Sequence, residues 1–98
     1  MIVEIVDLGT WGGASLVAEY DPCVDAIRVD ARAVAAVRAA LGGSEAELFT
    51  AVAIAHERFH RAHPHGTEAQ AHAYAQAVCG VARERYERVL RLARGDAA

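Results

Sequence analysis

His56-Glu57-Arg58-Phe59-His60 is the stretch of this 98-residue chain whose residue types and spacing can do chemistry. On a helix, residues four apart share one face and lie about 6 Å apart along the axis. Two imidazoles placed that way can close on one metal ion. The glutamate after the first histidine stands beside that face, where it can act on a water held by the metal. Zinc is the natural occupant of such a nitrogen and oxygen site. It lowers the pKa of its water from about 15.7 to about 7, and a carboxylate can then take the proton and hand it to a leaving amine. The implied roles are His56 and His60 as ligands and Glu57 as general base.

A chain with five histidines and eight glutamates produces one such HExxH motif by chance with odds of roughly 0.02. The other reading is a pair of core histidines satisfied by ordinary hydrogen bonds. Phe49 to Ala55 is apolar nearly all round, which places the motif's helix in the middle of the domain. There, two histidines and a carboxylate are costly unless paired or metal-bound. Glu68 is the leading candidate for a third ligand. It opens the next helix, eight residues after His60, with a Pro-Gly turn between. His72 shares its face at i+4, and His65 in the turn also stays open. His63 lies about 10 Å along the axis from His56, too far to share one ion. The metzincin pattern fails, because His63 and Gly66 stand where it needs glycine and histidine.

The elements that must position these residues follow from local patterns. Ile2–Val6, Ser15–Tyr20 and Ala26–Asp30 read as strands, the last alternating apolar and charged residues as a half-exposed strand does. Gly9, Gly12 and Gly13 break the chain around Trp11 but lack the order of a phosphate loop. Asp30 caps a helix with apolar positions Val34, Val37 and Leu41, closed by Gly42-Gly43. Ser44-Glu45-Ala46-Glu47 reads as a capping box opening the motif's helix, which runs to about His63. Thr67-Glu68-Ala69-Gln70 is a second. It opens a helix running to about Gly95, with Gly80 as a kink.

Composition excludes several classes. Apolar residues make up 54%, enough for one small domain over residues 1–98. Net charge is −3, with ten arginines and no lysine, which gives no reason to expect nucleic acid or an anionic membrane. Residues 1–57 are net −6 and residues 58–98 net +3, so the C-terminal helix is basic. Its arginines 83, 85, 88, 91 and 94 read as a solvated face pairing with Glu84 and Glu87. Tyr74 and Tyr86 read as core or rim packing. No apolar run is long enough to span a bilayer, and the first residues lack a signal-peptide pattern. Cys23 and Cys79 are expected to be buried, reduced thiols of a cytoplasmic protein.

The motif followed by Glu68-Ala69-Gln70-Ala71-His72-Ala73-Tyr74-Ala75 resembles the gluzincins, and most closely the minimal gluzincins and ImmA/IrrE-like zincins. In these, HExxH is followed by a helix reading E-x-x-A-x-x-[FY]-A, here Glu68, Ala71, Tyr74 and Ala75. The resemblance covers roughly residues 20–80. It implies His56, His60 and Glu68 as zinc ligands and Glu57 as general base. The position four after the third ligand commonly holds Asp or Asn and orients a ligand histidine; here it is His72. Arg58 stands where an apolar residue is usual.

The expected fold is α+β and zincin-like: a small, mainly antiparallel sheet of about three strands, then three helices, the HExxH helix central. The expected function is zinc-dependent hydrolysis of a peptide or protein substrate lying along an edge strand that contains Ile27–Val29. The basic C-terminal helix is expected to cover the cleft. The alternative is a latent or non-catalytic zinc-binding regulatory or scaffold domain, which a fourth protein ligand would favour. The spacing of Glu68 and His72 and the non-helical N-terminus argue against a di-iron bundle.

Overall fold

The computed structural model describes residues 1–11, 14–15 and 17–95. Its elements are β1 (Ile2–Val6), β2 (Thr10–Trp11), β3 (Ala14–Ser15), β4 (Ala18–Asp21), β5 (Ala26–Asp30), α1 (Ala31–Leu41), α2 (Gly43–Ala62), α3 (Glu68–Cys79) and α4 (Arg83–Ala93). The class is α+β, as expected. Gly12 and Gly13 of the glycine-rich stretch fall outside the described residues.

The sheet differs from expectation in two ways. It is mixed, with order β1-β5-β4: β1 runs parallel to β5 and β4 antiparallel to it. And β5 is the central strand, so Ile27–Val29 cannot be an edge that receives a substrate. Its alternation suggested half-exposure because Arg28 interrupts the apolar run. Arg28 instead lies across the outer face of the sheet, 3.3 Å from both Glu19 and Asp21 and 3.9 Å from Glu4. Ile27 and Val29 point the other way and are fully buried. A second, two-stranded sheet pairs β2 with β3.

Asp30 turns the chain from β5 into α1. Its carboxylate accepts the Arg32 amide at the helix start and the Leu8 amide after β1, which explains why it is buried. The step from α1 to α2 takes one residue, Gly42, at φ 99°, a conformation that favours glycine. Because Gly42 already makes that turn, α2 begins at Gly43 and the Ser44 capping box does not form. Glu45 pairs instead with Arg85 and Arg88 of α4. At about 1.5 Å per residue, the 20 residues of α2 make about 30 Å, close to the molecule's 33 Å longest extent.

The long C-terminal helix expected from the sequence is two helices, giving four among the described residues. Gly80 takes φ 59° and ends α3 as a left-handed cap. The break lets α4 fold back and bury Tyr86, Val89 and Ala93. Val89 and Ala93 join Val29, Val34, Val37, Phe49 and Ala53 in one core cluster. Tyr86 joins Val52, Ala55, Ala75 and Val81 in a second. So α4 is part of the core and not a detachable cover.

At the far end of α2, Arg61 pairs with Asp25 in the β4–β5 turn, at 2.6 Å. Tyr20 donates to the same carboxylate. The Arg61 guanidinium, then the Tyr20 hydroxyl, hold Asp25 well below the usual carboxylate range. Cys23, expected in the core, is exposed in this turn, while Cys79 is half-buried; both are free thiols. Among the described residues, no helix is long and apolar enough to cross a membrane.

Phe49 is fully buried where α1, α2, α4 and the sheet meet. Phe49→Ala is expected to cost about 3–5 kcal/mol, read as a lowered midpoint in chemical denaturation.

Candidate metal centre

Three features of local sequence bring α2 and α3 together around the motif. Helix α2 stops at Ala62, and residues 63–67 make the return. Gly66 lies against the Phe59 ring so closely that a Cβ there would sit 2.5 Å from Cε1. Phe59 cannot easily give way, because its ring also packs on His63 at 4.7 Å and Tyr74 at 5.7 Å. Thr67 then caps α3 with the expected reciprocal box: its hydroxyl accepts the Gln70 amide at 3.1 Å, and the Gln70 side chain accepts the Thr67 amide at 3.0 Å. Ala71 and Ala75, both fully buried, put only methyl groups into the space between the helices. The short link from His60 to Glu68 therefore closes.

His56 and His60 lie on one face with ring centroids 4.9 Å apart. The Glu68 carboxylate reaches both: Oε2 is 3.2 Å from His56 Nε2, and Oε1 is 2.5 Å from His60 Nε2. Neither contact has hydrogen-bond geometry, and both Nε2 atoms are buried without a hydrogen-bond partner. On the other side of the His56 ring, Nδ1 lies 3.3 Å from Glu57 Oε1. When Nδ1 carries the proton and donates it to Glu57, Nε2 presents a lone pair to the Glu68 carboxylate. Two acceptors facing one another are unfavourable unless a cation lies between them.

Nitrogen and oxygen donors of this kind can hold a metal ion such as zinc. Ligands at about 2.0–2.2 Å in a tetrahedron stand about 3.3–3.6 Å from one another. The His56–Glu68 separation is close to this, and His60 and Glu68 would part by about 1 Å. Without a cation, His56 attracts a proton. Burial opposes its charge, but the Glu57 hydrogen bond and the charges of Glu57 and Glu68 outweigh burial and raise its pKa. Metal and proton thus compete for this imidazole.

His72 also stands beside this cluster. Its ring centroid is 4.7 Å from that of His56, and His56, Glu68 and His72 each offer a ligand atom within 4.8 Å of the others. The Tyr86 hydroxyl engages His72 Nδ1 at 2.5 Å, leaving Nε2 for the cluster. Burial, then the neighbouring charges of His56 and Arg94, lower the His72 pKa and keep the ring neutral. Burial pushes Tyr86 up to about 12. His63 and His65 are exposed in the turn and outside the cluster. Sequence reasoning missed the Tyr86–His72 bond, since 14 residues and the Gly80 break separate the pair. Glu57 is 8% exposed while the Glu68 side chain is 70% exposed, so the centre is sheltered on the α2 side and open beside Glu68.

Comparison with family models, curated proteins and solved structures gives no match. The reading of this centre therefore stands on its own residues and distances.

The chain is expected to bind about one zinc ion, and His60→Ala to release it, while Glu57→Gln retains it. Titration with a competing chelator measures each. Because a proton must leave His56, affinity should fall about tenfold per pH unit once the pH drops below its raised pKa. Gly66→Ala should weaken zinc binding by displacing the start of α3. Unchanged affinity in the His60 variant would remove the centre.

Proposed function

We propose that this chain is a zinc-dependent peptidase of the minimal gluzincin type, with His56, His60 and Glu68 as ligands and Glu57 as general base. The observation that carries this reading is the convergence of two partnerless imidazole nitrogens on one carboxylate, with a second carboxylate beside them. Zinc held there would polarise a peptide carbonyl and acidify a water. Two tasks are proposed for Glu57, and the second needs its carboxylate to turn from the Nδ1 side of His56 toward the ion. One oxygen fixes the His56 tautomer through Nδ1, as metal-binding histidines require. The other is free to take a proton from the attacking water and return it to the leaving amine. The exposed Glu68 side leaves an approach for an extended chain. With β5 central, backbone pairing with a substrate falls to β4, the edge strand that packs beside α2.

A second reading is favoured by His72. If its Nε2 occupies a fourth position, the ion is closed to water, and the domain is a latent or regulatory zinc module.

Glu57→Gln should leave zinc bound and reduce cleavage of a fluorogenic peptide library at least about 10²-fold. Activity that survives this change would sink the peptidase reading. Cobalt(II) in place of zinc separates the two readings. An open position shows as a change in the visible spectrum of the parent chain on adding acetohydroxamate. A site closed by His72 shows that change only in His72→Ala.

A further inference from the structure

A cleft of about 630 Å³ lies between α3 and α4. His72, on the edge of the metal centre, lines it together with Gln76, Tyr86, Arg83, Arg91 and Arg94. Three guanidinium groups on one wall make it basic in a chain whose net charge is −3. Arg83 is committed to Glu87 at 2.9 Å, also on this wall. Among the described residues, Arg91 and Arg94 have no carboxylate within ion-pair distance. The neighbouring arginines differ: Arg85 and Arg88 both turn to Glu45 of α2. The Arg94 charge is felt at His72 and at Tyr86, so it acts on the end of the cleft nearest the metal ligands.

We propose that this cleft binds a carboxylate of the peptide held at the metal centre, with Arg94 and Arg91 as its recognition residues. The inference rests on the peptidase reading for its substrate and on the cleft for its charge. Glu68 and His72 are one helical turn apart, about 6 Å, and the cleft continues beyond His72. An extended peptide advances about 3.3 Å per residue. The carboxylate it selects therefore lies two or more residues from the scissile bond. Guanidinium groups suit it because they bind a carboxylate through paired, charge-assisted hydrogen bonds. Two sources offer this chemistry: the free C-terminus of a short peptide, and an aspartate or glutamate side chain within a longer one.

The test is fluorescence anisotropy with labelled tripeptide hydroxamates on the full chain, with zinc and after its removal by chelator. The probes are a free C-terminal acid, its amide, and an amide with aspartate in place of an uncharged residue. In the zinc-loaded chain the free acid or the aspartate probe is expected to bind about ten- to hundred-fold more tightly than the plain amide, and the arm that does so names the source. Arg94→Gln with Arg91→Gln should erase the difference, while Arg38→Gln on α1 keeps it; thermal melts confirm that the variants fold. Equal binding of all three probes, or a preference that survives the double substitution, overturns the proposal. So does inorganic phosphate that displaces the acid probe at matched concentration, since the cleft would then be a phosphoryl site. Loss of zinc dependence with the acid preference intact refutes the metal reading alone. Zinc dependence without acid preference refutes the cleft alone.

Discussion

Two buried imidazole nitrogens facing a carboxylate, with no hydrogen bond between them, are the constraint around which this small domain is arranged. A buried polar atom without a partner costs about 1–3 kcal/mol, and a whole domain is stable by about 5–15 kcal/mol. Left without metal or proton, His56 and His60 would together take a large share of that margin. The compensation lies elsewhere on the same helix. The N-terminal half of α2 puts Ala46, Phe49 and Ala53 into the main core cluster, and its middle puts Val52 and Ala55 into the second. The frustrated half is thus carried by a half that is fully satisfied. A cation converts the same cost into binding energy, because the lone pairs that repel one another become ligands.

Positioning is correspondingly rigid where it matters. The C-terminal end of α2 is tied to the sheet by the Arg61–Asp25 pair. The start of α3 is fixed by Gly66 seated on Phe59 and by the Thr67–Gln70 box. Glu68 is the one exposed member of the centre, yet its backbone is held from both sides. The alanine face of α3 serves the same end. Larger residues at 71 and 75 would push the helices apart and move Glu68 out of reach of His60.

What the sequence showed and what it hid divide along the range of the interactions. The Asp30 cap, the Thr67 box and the i, i+4 histidines depend on a few adjacent residues, and all were legible. The place of β5 was not, because alternation along a strand says which face is wet and nothing about which strands lie beside it. Arg28 looked like solvent exposure when it was a bridge to Glu19, Asp21 and Glu4. The Ser44 box failed because Gly42 turned the chain two residues sooner. Gly80 was seen as a kink, but at φ 59° it ends the helix. That single dihedral decides where α4 goes, and with it the Tyr86–His72 contact and the cleft walled by Arg91 and Arg94. Arg94, eight residues after Tyr86, lies toward the same side of the helix, a signal in the spacing that gained meaning only once Tyr86 was seen to turn inward.

The same contact decides what kind of centre this is. His72 is neutral, since burial and the nearby charges of His56 and Arg94 lower its pKa, so it exists as one of two tautomers. Tyr86, held protonated by burial, can satisfy either through one hydrogen bond. If the tyrosine donates to Nδ1, the His72 proton sits on Nε2. His72 then cannot be a ligand and becomes a donor, aimed toward Glu68 or toward an oxygen of a bound peptide. If the tyrosine accepts from Nδ1–H, Nε2 holds a lone pair and can close the ion to water. The core helix α4 thus sets the character of a site to which it contributes no ligand. The tautomer of a ring whose Nδ1 lies 2.5 Å from a core tyrosine hydroxyl separates an ion open to water from one closed to it.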